Sequence, residues 1–179
     1  MSGEEIVYKP IGVIRTPFKS PLGVPIQPSA GRGIKGLVEV FPEYSEGLKD
    51  LEGFSHIILV YHFHLIKKFS LKVIPYMDNE SRGVFATRAP ARPNPIGISI
   101  VKLTGIEGNR LYVEDVDIVD GTPLLDIKPY VPDFDHRPDA RIGWLEKRVK
   151  KLKSTRDDGR FIKKVKYCKS PRFFHHSLK

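Results

Sequence analysis

The sequence predicts a mainly β fold: a small β-barrel with short helices and a basic C-terminal extension. Three observations lead there. Apolar residues gather in short, β-branched runs closed off by Gly or Pro, which is the pattern of strands. Fifteen Gly and fifteen Pro supply the many turns such strands need. No helical period is regularly interposed between the runs, so closure of the strands on themselves is favoured over a parallel α/β sheet.

In chain order, the first strand is expected over 12–15 (GVIR) and the second over 37–40 (LVEV), with GRGIKG at 31–36 as the loop before it. Residues 45–51 read as a brief helix, with Ser45 as N-cap and Gly53 as stop. The run 55–64 (SHIILVYHFH) is the third strand. A period of two puts Ile57, Leu59, Tyr61 and Phe63 on one face, and His56, Ile58, Val60, His62 and His64 on the other. Further strands are expected over 71–74, 83–87, 98–103, 111–116 and 124–127, followed by a loop at 132–138. A helical period appears only in 144–152, where Trp144, Leu145, Val149 and Leu152 could share a face. The division expected is a barrel over 6–140 and a basic, partly helical extension over 141–179.

Composition narrows the function. The longest apolar run, 57–61, is too short to span a bilayer, and no charged-then-apolar leader opens the chain. With one cysteine, Cys168, there is no disulfide framework and no multi-cysteine metal site. A soluble, cytoplasmic protein without a membrane partner is the expectation. GRGIKG precedes a strand rather than following one, and there is no P-loop, so the usual nucleotide-binding folds are disfavoured. The net charge of +9 is uneven: residues 141–179 hold 14 Lys and Arg against 3 Asp and Glu. Phe161, Tyr167, Phe173 and Phe174 stand among those cations, a mixture suited to a polyanion with exposed bases.

Three segments carry more functional side chains than strands require. The His-rich run 55–64 suits a binding edge better than a metal site, since no carboxylate or cysteine motif accompanies it. In GVFATRAPARPNPIG, Pro90, Pro93 and Pro95 stiffen a loop from which Arg88, Arg92 and Asn94 project. The third, 117–130, contains the turn Asp120-Gly121-Thr122-Pro123 between two strands.

Taken together and in this order, the segments resemble the TsaA-like family, which includes the tRNA adenosine-37 N6-methyltransferases. The resemblance begins at IGVIRTPFK (11–19) and continues through PIQP (25–28) and GLKDLEGFSH (47–56). It ends with GVFATRAPARPNPIGIS (83–99) and VDGTPLLDIKPYVP (119–132). Other members often carry a basic residue where this chain has Ile26, and a Ser where it has Ala89. The resemblance implies a small β-barrel that binds S-adenosylmethionine, usually as a homodimer, and methylates N6 of threonylcarbamoyladenosine in the tRNA anticodon loop. It further implies cofactor contacts at Pro25, Ile26 and Gln27, at Phe63 and His64, at Arg88, at Ile98, and at Asp120, Gly121, Thr122 and Pro123.

Methyl transfer to a delocalised exocyclic nitrogen is helped by removing its proton. His64 and Asp120 are the candidates for that step, and the sequence does not choose between them. Arg92 and Asn94 are expected nearer the RNA, and no metal is expected. The competing class is a non-catalytic RNA-binding barrel that retains the pocket. The matched motifs all precede the tail, so cofactor binding is expected to be independent of residues 141–179 if the tail grips RNA. In the rival reading, 144–152 packs on the barrel as a helix with Trp144 buried, and cofactor binding depends on the tail too.

Overall fold

The computed structural model describes residues 5–162. Six antiparallel strands close into a barrel in the order β1-β2-β7-β6-β3-β8. They are β1 (Gly12–Arg15), β2 (Lys35–Val40), β3 (His56–His62), β6 (Ile96–Glu107), β7 (Arg110–Glu114) and β8 (Thr122–Pro129). Outside the barrel, β4 (Lys72–Val73) and β5 (Arg82–Gly83) form a two-stranded ribbon.

Alternation decides which residues fill the barrel. In β3, Ile57, Leu59 and Tyr61 are buried while His56, Ile58, Val60 and His62 are half-buried on the outer face. Ile14, Val38, Val40, Val101, Leu111, Val113 and Leu124 meet them inside. Each such side chain contributes roughly 1.5–3 kcal/mol on burial. Closure depends on β8, which pairs with β3 on one edge and β1 on the other. A bulge opposite Val60 and Tyr61 leaves Leu125 as the extra residue and bends β8 where it meets β3.

Several expected elements differ. The strand expected over 83–87 shrinks to β5, and Val84–Ala86 forms a 3-10 turn. Its carbonyls are taken by side chains: Arg92 Nη1 donates to Val84 O at 3.1 Å and Thr87 O at 2.9 Å, and Thr87 Oγ1 also donates to Val84 O. The helix expected over 45–51 is two 3-10 turns, Pro42–Leu48 and Leu51–Gly53, split by Asp50 at φ +67°. Ser45 lies inside the first turn and donates back to Pro42 O instead of capping. Residues 35–36 of GRGIKG begin β2, and β6 runs past 103 to Glu107 across a bulge near Gly105. Within the loop expected at 132–138, Pro132–Asp135 makes one helical turn, α1.

The period in 144–152 does not produce an α-helix. Gly143–Leu145 and Val149–Ser154 are 3-10 turns, because tertiary partners pull the segment onto the ribbon. Trp144 Nε1 donates to Ala86 O at 2.8 Å, and Arg148 pairs at 2.9 Å with Asp78, whose side chain is fully buried. Tyr167, Cys168, Phe173 and Phe174 lie outside the described residues.

Candidate functional site

At one end of the barrel, β3 runs out, β6 begins, and the segment leading into β8 crosses beneath them. Between these elements lies a cavity of about 310 Å³. Its walls are mainly apolar, from Val24, Phe63, Leu65, Ile98 and Ile118, with a few polar groups turned inward.

One of these polar groups is Asp117. Ser99 Oγ donates to Asp117 Oδ1 at 2.5 Å, and the Tyr61 hydroxyl lies 3.0 Å from the same Ser99 oxygen. Burial pushes the Asp117 carboxyl up to about 7, although Ser99 and Arg88 act in the opposite direction. Burial likewise holds the Tyr61 phenol above its usual range. Gly97 on β6 makes this arrangement possible, since a Cβ there would clash with the Tyr61 ring, 2.5 Å from its Cζ.

At the mouth, Arg88 Nη1 donates to Gln27 Oε1 at 2.7 Å, and Gln27 Nε2 donates to Ile26 O. On the other side, Thr122 Oγ1 donates to Val119 O at 2.7 Å and so offers its lone pair to His64 Nδ1, 3.4 Å away. That partner favours the Nδ1–H tautomer and leaves Nε2 able to accept a proton. Burial, then His62 and Lys67, lower the His64 pKa, so the ring is neutral at pH 7.

Of the positions expected from the sequence, the cavity gathers Pro25, Ile26, Gln27, Phe63, His64, Arg88, Ile98 and Thr122. Asp120 does not line it. Its carboxylate accepts from Thr16 N at 3.0 Å and Lys19 Nζ at 2.7 Å, and the Lys19 hydrogen bond holds it below the usual carboxylate range. Gly121, at φ +76°, donates to Ile14 O, and Pro123 pairs with Val13, so both belong to the β1–β8 seam. Arg92 does line the cavity, but its guanidinium is bound to loop carbonyls and stands 5.8 Å from the Phe85 ring centre. Asn94 is exposed on the outer loop, away from the cavity. Among the described residues, no three His, Cys, Asp or Glu side chains come together as a metal site.

Sequence reasoning passed over Asp117, although the residue stands in the third segment, three places before Asp120. Asp157, Phe161 and Ile162 also line the cavity. The independence expected of the tail therefore meets a physical obstacle: part of it is a wall of the site.

Residues 13–136 match the family model described as the tRNA-methyltransferase O N-terminal domain. The chain belongs to this family. A relative from Pyrococcus abyssi, named "Probable S-adenosyl-L-methionine-binding protein", is 68% identical over 157 residues, covering 88% of this chain and 85% of that protein. The mouse protein named tRNA (adenine(37)-N6)-methyltransferase is 36% identical over 73% of this chain, which spans 32% of its length. Among solved structures, the crystal structure of TrmO from Pseudomonas aeruginosa superposes with a TM-score of 0.68 at 41% identity. That match covers 80% of this chain and 63% of the solved one, so this chain spans less than two thirds of that TrmO chain. Among the described residues, no helix is long and apolar enough to cross a membrane.

Proposed function

We propose that this TrmO-family chain binds S-adenosylmethionine in the cavity and methylates N6 of threonylcarbamoyl-modified adenosine 37 in tRNA. The observation that carries the reading is the convergence of Gln27, His64, Arg88 and Asp117 on one apolar cavity. The donor is a cation with a carboxylate at one end and a flat base at the other. Phe63 and Ile98 offer apolar surface to the base, Arg88 with Gln27 suits the carboxylate, and Asp117 suits the positive charge.

When bound, the donor supplies an electrophilic methyl group on sulfur. The chain's own residues then have two tasks. Fixing the acceptor nitrogen in line with that methyl group is worth up to about 7–11 kcal/mol. Removing the nitrogen's proton falls to His64, which is neutral and has Nε2 free, and not to Asp120, which is held by Lys19 and Thr16. The excess of cations in the tail supports an RNA partner, and cytoplasmic location follows from that substrate.

Incubation with S-adenosylmethionine and tRNA bearing threonylcarbamoyladenosine should add one methyl group to that nucleoside, read by mass spectrometry of the digest. Donor binding without that product would instead favour the non-catalytic RNA-binding barrel. Arg88→Ala should weaken donor binding about ten- to a hundredfold with little loss of melting temperature, because a charge-assisted contact is lost from an exposed loop. Equal affinity of variant and wild type in calorimetry would remove Arg88 from the site.

A homodimer belongs to the same proposal. On the outer face of β6, Ile100 at 40% exposure continues an apolar row from Ile96 and Ile98, which border the cavity, so a dimer face here would lie at the cavity's rim. A second copy would cover it. Sedimentation at micromolar concentration should show the dimer, and a monomer alone would refute it.

A further inference from the structure

Residues 156–162 lie beyond the stretch that matches the family model, yet they hold one side of the cavity. Gly23 N donates to Asp157 O at 2.7 Å, and Asp157 N donates to Val24 O at 2.8 Å. Pro25 and Arg156 form an antiparallel bridge, and Arg156 Nη2 reaches Ala30 O at 3.3 Å. The loop that carries Ile26 and Gln27 is thus fastened from outside by the tail.

Beyond that bridge the chain turns at Gly159, at φ +76°. Phe161 then lands on Val73, Val84 and Ala89, with its ring edge-on to Tyr76 at 5.1 Å between centres. Arg160 fixes the turn by donating to Pro75 O at 3.1 Å while paired with Asp158 at 2.6 Å. A solvated appendage that serves only solubility would make none of these contacts.

Two polar groups of this wall sit together. The Tyr76 hydroxyl is buried beside the Asp157 carboxylate, and the two are loosely paired. A loosely paired buried hydroxyl and carboxylate in a cavity wall leave capacity for a polar atom of a ligand.

We propose that residues 156–162 complete the methyl-donor pocket in cis: they set the loop bearing Gln27, and they present Tyr76 Oη and the Asp157 carboxylate to polar groups of the donor. This rests on the reading that the cavity holds S-adenosylmethionine. It makes donor affinity a property of the barrel and the strap together. Asp157 is here a binding residue, and Phe161 a positioning residue.

Hydrogen exchange on the full wild-type chain, with and without saturating S-adenosylmethionine, tests it. The donor should slow exchange about tenfold or more in peptides covering 21–27 and 153–162, as well as in those covering 61–66. In parallel, Tyr76→Phe and Asp157→Asn, which keep shape and packing, should each weaken calorimetric affinity about tenfold at little cost in melting temperature. Protection confined to 61–66, with both variants binding as tightly as wild type, overturns the strap and leaves the pocket assignment standing. No protection anywhere, and no heat of binding to wild type, removes the pocket assignment and this inference with it.

Discussion

Donor affinity in the wild-type chain is expected to climb as pH rises through about 7, and Asp117→Asn is expected to cut the climb back to the part that the Asp157 carboxylate supplies. The Asp117 carboxyl titrates at about 7 because burial penalises its charge. Below that pH it is neutral and offers a cation little. Above it the carboxylate adds a negative charge to the cavity wall, with Ser99 fixing its direction. In the acid limb affinity should change by up to about tenfold per pH unit, the limit for one linked proton.

The Asn variant should bind about ten- to a hundredfold more weakly at pH 8 and approach wild type at pH 6. Stability without donor should move the other way. The folded-state pKa is raised, so the carboxyl's contribution is full below its unfolded value and is lost as pH climbs through about 7. A flat wild-type profile, or the same slope in the variant, would sink the assignment. His64 does not supply the same signal, since its pKa is lowered and its window lies below that of Asp117.

Gly97→Ala should damage fold and site at once. The added Cβ would stand 2.8 Å from Phe63 Cζ and closer still to the Tyr61 ring. Neither ring can easily retreat: Tyr61 is buried in the core and tied to Ser99, and Phe63 meets it edge-on at 5.4 Å. Overpacking of this kind costs about 1–3 kcal/mol, which for a chain of this size lowers the melting temperature by roughly 2–12 °C. Displacing Tyr61 would also free Ser99 from its place against Asp117, so donor affinity should fall by more than about tenfold. A variant that melts and binds like wild type would show that the ring positions are soft.

The strands were legible because the barrel imposes a period of two. In β3 the faces read from the sequence are the faces found, since Ile57, Leu59 and Tyr61 must all reach the interior. The seam turn was less legible. Asp117 and Asp120 are the same residue three places apart in a segment with no strand period. Only the folded chain separates them, one turned toward Ser99 and the other toward Lys19. Asp115, at φ +68°, redirects the backbone just before them, and no local pattern announces that bend. Arg92 illustrates a different limit. Prolines leave neighbouring carbonyls without partners, and a nearby guanidinium satisfies them, so a cation that looks free in sequence is bound in the fold. The tail hid its role for a third reason. Its contacts with Val24, Pro75 and Asp78 are all distant in sequence, and composition is blind to such contacts.

The seam between β1 and β8 has a consequence in time as well as in space. Gly12 pairs with Leu124 and Ile14 with Thr122, so the barrel shuts only when two far-separated stretches of chain meet. Such non-local pairing is entropically costly before it is rewarded, and it places folding in about the millisecond-to-second range. Thr122 is at once a partner of Ile14 in the ladder and of His64 in the site. The pairing that closes the barrel therefore also sets the imidazole. During synthesis, the chain has no competent binding site until β8 has emerged and docked, and a half-made barrel has nothing with which to capture the donor.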